Sequence, residues 1–215
     1  MIFHDRADAG RQLASRLAEF AGDPSLMVLG IPRGGVVVAD EVARVLTAPL
    51  DFFLATKLPV PEQEELAFGA MAESGEYFLD QRIIHAGHVS AQQIEAIREV
   101  AAQRLRQRAA LFRAGRAPRT VEDNTVILVD DGIATGASIH VSILALRALR
   151  PGRLIVAVPV APALTCALLR PLVDQLVCVD EPQVFEAVSQ FYLYFPQSTD
   201  AQVAELLRRA EETAP

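Results

Sequence analysis

Short, predominantly apolar segments alternate with helical patterns along most of this chain, and this alternation constrains the fold more than any other feature. Strands that are apolar along most of their length are typically buried on both faces. Because segments with helical spacing separate them, we predict an α/β fold with a parallel, doubly wound sheet covered by helices on both faces. The predicted strands cover residues 26–31, 50–56, 125–129, 154–160 and 175–179.

Apolar residues spaced by three and four indicate the helices. Residues 58–76 lack such a period and contain two prolines and two glycines, which predicts a long loop or an irregular hairpin. A short strand at 76–80 and a turn at 85–88 are predicted next. The longest predicted helix covers 90–113, and the others cover 5–20, 35–46, 136–149, 163–170 and about 200–212.

The composition fits one domain over residues 1–215. The chain is 51% hydrophobic and 22% charged, which is enough to bury one sizeable core. The net charge of -7 and the pI near 5.1 argue against a general electrostatic attraction to nucleic acid. No apolar run reaches the roughly 18 residues that a membrane span needs, and the first residues show no secretory leader pattern. We therefore expect a cytoplasmic protein without a membrane partner.

Residues of the metal-ligating types give no clear metal site in the sequence. Cys166 and Cys178 are too few and too far apart for a zinc knuckle, and their apolar surroundings predict reduced core residues. His85 and His88 have the spacing of ligands but no visible third ligand, so a loop or turn is the favoured interpretation. His140 is interpreted as structural.

The segment VILVDDGIATGAS, residues 126–138, ends a predicted strand in two carboxylates and continues into small residues and hydroxyls. Ligands of parallel sheets bind beyond the carboxyl ends of the strands, where Asp130 and Asp131 lie. Gly132 and Gly136 let the backbone approach a ligand, and the next helix directs its first N–H groups and positive dipole end toward it. A phosphate fits such a loop.

The polar side chains of this segment complete the pattern. Hydroxyls of Thr135 and Ser138 can donate to phosphate oxygens, and the two carboxylates can accept from sugar hydroxyls or approach Mg²⁺. A bare Asp-Asp-Gly turn with an N-cap is the simpler alternative, although the full run of residues disfavours it. The P-loop and dinucleotide-binding fingerprints are absent. A loop that can bind phosphate lies next to carboxylates that can bind sugar hydroxyls, which predicts a ribose 5-phosphate ligand.

These residues carry a resemblance. VILVDDGIATGAS resembles the phosphoribosyl pyrophosphate signature of the type I phosphoribosyltransferases, and PRGG within residues 29–43 resembles their pyrophosphate-binding loop. The similarity continues through LATKLPVPEQEELAFGAMAE, the arginine-bearing helix, AVPVAPALTC and FPQSTDAQV. Over almost the whole chain, these segments together resemble prokaryotic phosphoribosyltransferase-domain proteins whose acceptor is generally unassigned. It implies the type I phosphoribosyltransferase fold, with a small irregular hood and a lid loop.

The resemblance implies a role for each motif. Asp130 and Asp131 would receive the ribose hydroxyls and hold Mg²⁺ indirectly, through substrate or water. Gly34 and Gly35 would offer N–H groups to pyrophosphate, next to Arg33. The 5-phosphate would lie on Ala134, Thr135, Gly136, Ala137 and Ser138.

Lys57 is the only lysine among 20 basic residues and stands at the end of a predicted strand. The resembled family has a basic residue in this place, and a compact ammonium suits phosphate oxygens, so we assign Lys57 to the catalytic group with Asp130 and Asp131. An ordinary surface lysine is the alternative.

Three segments are assigned provisional roles. Residues 58–76 are the candidate lid, because a reactive sugar must be kept from water, with a static hairpin as the alternative. The aromatic stretch 185–195 lies within a C-terminal hood or tail, 180–215, and either stacks an acceptor or forms core, the second being favoured. The arginines on helix 90–113 and its tail form a solvated face or contact an anionic ligand, an RNA or a partner; they are Arg98, Arg104, Arg106, Arg108, Arg113, Arg116 and Arg119.

The prediction is a Mg²⁺-dependent enzyme that moves the phosphoribosyl group from phosphoribosyl pyrophosphate to a nitrogen of a small, nucleobase-like acceptor. Ala134 stands where the hypoxanthine-guanine class has a carboxylate, which disfavours a 6-oxopurine handled in that way. The alternative is a sensor of the donor or a nucleotide that acts through RNA or a protein partner. A phospho-acceptor receiver domain fits poorly, because its acids gather at the first strand. The oligomeric state is left open, with a homodimer as the candidate.

Overall fold

The computed structural model describes residues 2–113, 115 and 117–212. Its strands are β1 Leu26–Gly30, β2 Leu50–Phe52, β3 Ala55–Val60, β4 Gln63–Ala72, β5 Tyr77–Leu79, β6 Thr125–Val129, β7 Arg153–Val160 and β8 Gln175–Asp180. Its helices are α1 Arg6–Arg16, α2 Gly34–Leu46, α3 Gln81–Ala86, α4 Ala91–Arg113, α5 Ala137–Ala148, α6 Ala163–Leu169 and α7 Asp200–Glu212.

A five-stranded parallel sheet forms the centre, in the order β2-β1-β6-β7-β8. Val28 on β1 lies opposite Leu50 on one side and Ile127 on the other. The predicted α/β fold with a parallel sheet is therefore confirmed. Because the strands are parallel, the residues that follow β1, β6 and β7 all lie at one edge of the sheet, as ligand sites of such folds require.

Alternate residues along the central strands enter two separate hydrophobic clusters. Val28 and Ile127 pack with α1, α2 and α7, whereas Leu29 and Leu128 pack with α5 and α6. The side-chain period of two in a strand explains this division. Each fully buried aliphatic side chain contributes about 1.5–3 kcal/mol relative to exposure, so the two clusters hold the sheet between its helices.

The segment predicted as one strand, 50–56, is divided between two sheets. β2 ends at Phe52, and β3 begins at Ala55 in a separate antiparallel sheet of order β3-β4-β5. The prediction was wrong here because Phe53 and Leu54 are buried between the two sheets, so the apolar run continues through the change of partner.

Residues 58–76, predicted as a loop or an irregular hairpin, form a hairpin. The pairing of β3 with β4 shifts register between Leu58 and Val60, around Pro59. Proline has no N–H to donate to a neighbouring strand, which accounts for an irregular ladder at this point. The region predicted as a turn at 85–88 begins inside α3, which the sequence analysis missed and which Asp80 caps through the N–H groups of Arg82 and Ile83.

The C-terminal part packs against the N-terminal residues and against helices α2 and α4. Residues 188–191 form one turn of 3₁₀ helix, and Phe191 and Tyr192 are buried against Phe3. α7 then packs on α2 and α4. Within the described residues, no helix combines the length and the apolar character that crossing a membrane requires. Arg116 and residues 213–215, which belong to the predicted arginine group and the predicted tail, lie outside the described residues.

Candidate active site

Two carboxylates follow directly after the buried strand β6. Asp130 and Asp131 are both partly buried, and the side chain of Asp130 accepts a hydrogen bond from the backbone N–H of Asp131 at 2.9 Å. β6 ends here because the chain passes from five fully buried residues to groups that need water or polar partners. The carboxyl edge of the central strand therefore presents two acids side by side.

The PRGG segment packs against these acids. It forms the turn from β1 into α2, and α2 begins at Gly34. A Cβ atom on Gly34 would lie 1.9 Å from Oδ2 of Asp131, and one on Gly35 would lie 2.8 Å from Cα of Asp130. Only glycine permits such an approach. The two motifs, nearly a hundred residues apart in sequence, thus form one surface.

Asp131 is engaged by a buried arginine that the sequence analysis did not single out. Nε of Arg6 donates to Oδ2 of Asp131 at 2.7 Å, and the side chains are 10% and 16% exposed. The guanidinium also donates to the carbonyl of Pro196 at 2.7 Å and lies 3.7 Å from the ring centre of Phe195. The N-terminal helix and the C-terminal segment therefore fix the second acid of the signature.

Tyr192 holds the same acid by its backbone. The phenol donates to the carbonyl of Asp131 at 2.6 Å, and burial, reinforced by the charge of Asp131, raises the pKa of Tyr192. Its ring packs on Phe3 and Phe195, with centres 5.4 and 4.6 Å away. This part of the aromatic stretch is core, as the favoured interpretation had it, although Tyr194 is exposed. The polar end of Tyr192 supports the site.

Asp130 has a different electrostatic environment. Burial and the nearby charge of Asp131 raise its pKa well above the ordinary value of 3.8, while the N–H of Asp131 and the charge of Arg6 act against this shift. A carboxylate placed where its charge is costly favours a bound cation or hydrogen-bond donors. Asp130 is the acid of the pair that a ligand could stabilise.

The loop after the acids lines a cavity of about 220 Å³. Gly136, at a φ of 81°, precedes the first residue of α5. The first four N–H groups of a helix have no acceptor within it, so this end offers donors and a positive dipole end to an anion. The hydroxyl of Thr165 on α6 fixes the loop by donating to the carbonyl of Ala134 at 3.2 Å. Lining residues include Asp130, Gly132, Ala134, Thr135, Gly136, Ala137, Ser138 and Val188.

A second cavity of about 340 Å³ adjoins the first and shares Ala137 and Ser138 with it. Lys57 on β3 and Arg108 on α4 both line it, together with Pro32 of the PRGG turn. Lys57 and Ser138, both predicted to bind substrate, therefore line the same cavity as Arg108 of α4. Two cations on its wall suit an anionic group.

Other predicted residues lie elsewhere. Arg33 lines neither cavity, and its guanidinium lies 3.8 Å from a carboxylate oxygen of Asp200 on α7. His140 is exposed on α5, and His85 and His88 lie at and after the end of α3. His85 is therefore helical, whereas a loop or turn had been predicted for it.

A third cavity, of about 390 Å³, lies away from the two acids. Asp51, Glu73 and Arg113 line it, and the guanidinium of Arg113 donates to both oxygens of Asp51 at 2.7 Å and also pairs with Glu73. These buried charges satisfy one another. Arg113, one of the predicted arginine group, is therefore part of an internal ion network.

Comparison with known proteins gives three results. The family model described as phosphoribosyl transferase domain matches residues 2–196. Proteins from two Mycobacterium tuberculosis strains, CDC 1551 and H37Rv, whose names assign them to the phosphoribosyl transferases, are each 42% identical over 209 residues. The crystal structure of TT1426 from Thermus thermophilus superposes with a TM-score of 0.89 at 39% identity, covering 97% of this chain and 99% of that one.

The lengths differ between these relatives. The matched region covers 97% of this chain but only 47% of each Mycobacterium tuberculosis protein, so the chain spans about half the length of these curated relatives. The Thermus thermophilus structure matches over nearly its full length.

Proposed function

We propose that this chain, which belongs to the phosphoribosyl transferase family, transfers the 5-phosphoribosyl group of phosphoribosyl pyrophosphate to a nitrogen of a small heterocyclic acceptor. In this reaction the bond from C1 of ribose to the pyrophosphate oxygen breaks and a bond from C1 to the acceptor nitrogen forms. Pyrophosphate leaves.

One observation carries the proposal: the PRGG turn and the Asp-Asp signature touch. Gly34 and Gly35 lie against Asp131 and Asp130 so closely that a methyl group does not fit. A ligand with a phosphate on the DDGIATGAS loop and a second anionic group on the PRGG turn would span this contact. Phosphoribosyl pyrophosphate has its two anionic groups at opposite ends of a ribose, which matches that arrangement.

The 5-phosphate is assigned to the loop Ala134–Ser138. Hydrogen-bond donors in this loop include the first amides of α5 and the hydroxyls of Thr135 and Ser138. Because Thr165 holds the carbonyl of Ala134, the loop is supported from behind. A phosphate held in this loop fixes the position of the sugar. The reaction between donor and acceptor then becomes effectively unimolecular, which lowers its entropic cost.

The two acids have unequal roles in the proposal. Asp131 is paired with Arg6 and serves mainly to hold the turn, whereas Asp130 faces the cavity and accepts from the ribose hydroxyls. The residues fit Mg²⁺, because the carboxylate of Asp130 lines the cavity and oxygen is the ligand this ion prefers. Mg²⁺, when bound with the donor, neutralises charge on the leaving pyrophosphate.

Lys57 and Arg108 are assigned to the anionic groups in the second cavity. Breaking the C1–oxygen bond leaves positive charge on the sugar and negative charge on pyrophosphate, so fixed cations near the leaving group stabilise the transition state. The amides of Gly34 and Gly35 contribute donors from the PRGG turn. No protein nucleophile is needed.

The test is pyrophosphate release from phosphoribosyl pyrophosphate with Mg²⁺, measured across purines, pyrimidines and other nitrogen heterocycles, with acceptor omitted as the control. We expect release that depends on one acceptor class. Asp130→Asn and Lys57→Ala should each reduce the rate by at least about 100-fold, the scale on which lost electrostatic stabilisation acts. Arg108→Lys keeps the charge and should retain more activity than Arg108→Ala.

Binding measured by calorimetry separates the contrary outcomes. If the protein binds the donor in the micromolar range but releases no pyrophosphate with any acceptor, a sensor of the donor becomes the favoured function. If the wild-type protein neither binds the donor nor releases pyrophosphate, the assignment of the site is overturned.

A further inference from the structure

The two cysteines of the chain meet near the carboxyl end of β8. Cys166 lies on α6 and is buried, and Cys178 lies on β8 and is partly buried. Their Sγ atoms lie within 4.8 Å of each other, and the thiol of Cys178 donates to the carbonyl oxygen of Asp180 at 3.1 Å. The fold thus brings together side chains that are far apart in sequence.

A carboxylate completes the group. One ligand atom from each of Cys166, Cys178 and Glu181 lies within 4.8 Å of the other two, and no other such triad of His, Cys, Asp or Glu occurs among the residues that the structure describes. Glu181 pairs with Arg170 at the end of α6. Cys178 and Glu181 are partly exposed, so an ion in solution can reach the group.

These distances suit a tetrahedral ion. Zinc binds thiolate sulfur at about 2.3 Å and carboxylate oxygen at about 2.0–2.2 Å, which places neighbouring ligand atoms about 3.5–4 Å apart. We propose that Cys166, Cys178 and Glu181 form a binding site for a thiophilic divalent cation, with Zn²⁺ as the ion that fits best. Two thiolates and a carboxylate select such an ion over Mg²⁺ or Ca²⁺.

Charge and proton balance support the same ion. Two thiolates and Glu181 carry three negative charges, which Zn²⁺ and the guanidinium of Arg170 neutralise. Binding forms two zinc–sulfur bonds and one zinc–oxygen bond to Glu181, displaces water from the hydrated ion and releases the two thiol protons to solvent, with no change in oxidation state. The three protein ligands leave one tetrahedral position for water.

The site joins α6 to β8 and lies behind the phosphate loop. Thr165, next to Cys166 in sequence, holds the carbonyl of Ala134, and its methyl group would meet a Cβ atom on Gly136 at 2.9 Å. A bound ion therefore fixes the helix that supports this loop. Only this consequence rests on the proposed function; the ion site itself does not.

The experiment is a zinc titration of reduced, metal-free protein against a chromogenic chelator, without any phosphoribosyl ligand. We expect one ion per chain in the wild-type protein. Cys166→Ser and Cys178→Ser should each weaken binding by more than about 100-fold, because loss of a ligand exceeds the 10–100-fold cost of losing an outer partner. Glu181→Gln should weaken it by a smaller factor, and Glu186→Gln, an exposed acid outside the group, should leave it unchanged.

A second measurement keeps the test valid if a serine variant does not fold. Co²⁺ added to the wild-type protein should give the charge-transfer absorption of a thiolate complex, and excess Zn²⁺ should abolish it. Equal zinc affinity in the wild-type and Cys178→Ser proteins would overturn the site. So would reduced wild-type protein that binds neither ion and forms a Cys166–Cys178 disulfide on oxidation, which would assign the pair to redox chemistry.

Discussion

At Asp130 the protein keeps a carboxylate where its charge is costly. Burial and the charge of Asp131 raise the pKa of Asp130 well above 3.8. The folded state therefore binds this proton at pH values where the unfolded state has lost it. The free energy of unfolding consequently falls as the pH rises from the ordinary pKa through the raised one.

Asp130→Asn should remove this pH-dependent fall in the free energy of unfolding. We expect the variant to have a higher free energy of unfolding than the wild type near neutral pH, as measured by urea denaturation. The difference should shrink as the pH falls through the raised pKa toward the ordinary one. Asp23→Asn serves as the control, because hydrogen bonds from Ser25 lower the pKa of Asp23 and the expected pH dependence is reversed. A stability difference for Asp130→Asn that does not vary with pH would contradict the interpretation.

Arg6 supports Asp131 rather than touching substrate in our proposal. Arg6→Ala leaves a partly buried carboxylate without its cation, so unfolding should become easier by about 3 kcal/mol. Chemical denaturation measures this change. The matched control is Arg11→Ala on the same helix, where the side chain is 52% exposed and its ion pairs are long, so a change within about 0.5 kcal/mol is expected.

A second substitution tests the cause. Adding Asp131→Asn to Arg6→Ala removes the unpaired charge and should recover part of the lost stability. If the double variant is less stable than Arg6→Ala by the full cost of Asp131→Asn alone, the two residues do not act as a pair.

At the scale of elements, α5 and the loop before it provide the proposed phosphate site. Ser138→Ala should weaken binding of ribose 5-phosphate by about 1.5 kcal/mol, or roughly tenfold, because hydrogen bonds to charged groups have this size. Isothermal calorimetry measures the change. Ser15→Ala on α1 removes an exposed hydroxyl away from the site and should leave affinity unchanged. Equal affinity for both variants would remove Ser138 from the site.

The β3–β4 hairpin is the element proposed to close over the reacting sugar. Its turn includes Glu62 at a φ of 63°, and its ladder is irregular around Pro59. If it acts as a lid, donor and Mg²⁺ should slow amide hydrogen exchange in residues 61–66, as measured by mass spectrometry. The buried strand β6 should show no such change. If amide exchange at residues 61–66 is identical with and without saturating donor, the hairpin is static and does not act as a lid.

At the scale of the whole molecule, a ligand that joins PRGG and the acid signature ties together segments from most of the chain. Phosphoribosyl pyrophosphate with Mg²⁺ at 100 times its Kd should add about 2.7 kcal/mol to the free energy of unfolding. A thermal melt would show a rising Tm with donor concentration, and ribose 5-phosphate or pyrophosphate at equal concentration should shift it less. Equal shifts from pyrophosphate alone would mean that the sugar and its phosphate are not bound.

Much of the fold could be predicted from the sequence because burial leaves a direct pattern. Strands β6 and β7 are mostly aliphatic, and α4 shows apolar residues at helical spacing, so their observed bounds differ from prediction by at most one residue. The change of sheet at Phe53 was not predictable in this way, since a buried residue has the same character on either side of it.

The candidate site divides similarly. The sequence by itself located the candidate phosphate loop and the two acids, because small, hydroxyl and carboxylate residues follow a buried strand at close spacing there. It also pointed to PRGG and Lys57 through the family resemblance. The charged pair of Arg6 with Asp131 was hidden, since a single arginine near the N-terminus has no periodic or spacing signal.

Only the tertiary structure decided which distant residues act together. It placed Gly34 against Asp131, Arg108 and Lys57 on the wall of one cavity, and Cys166 near Cys178. Local sequence records the burial and backbone preference of each residue, which act over a few positions. Contacts between side chains on different elements depend on sheet order and helix packing, and those are settled only when the whole chain has folded.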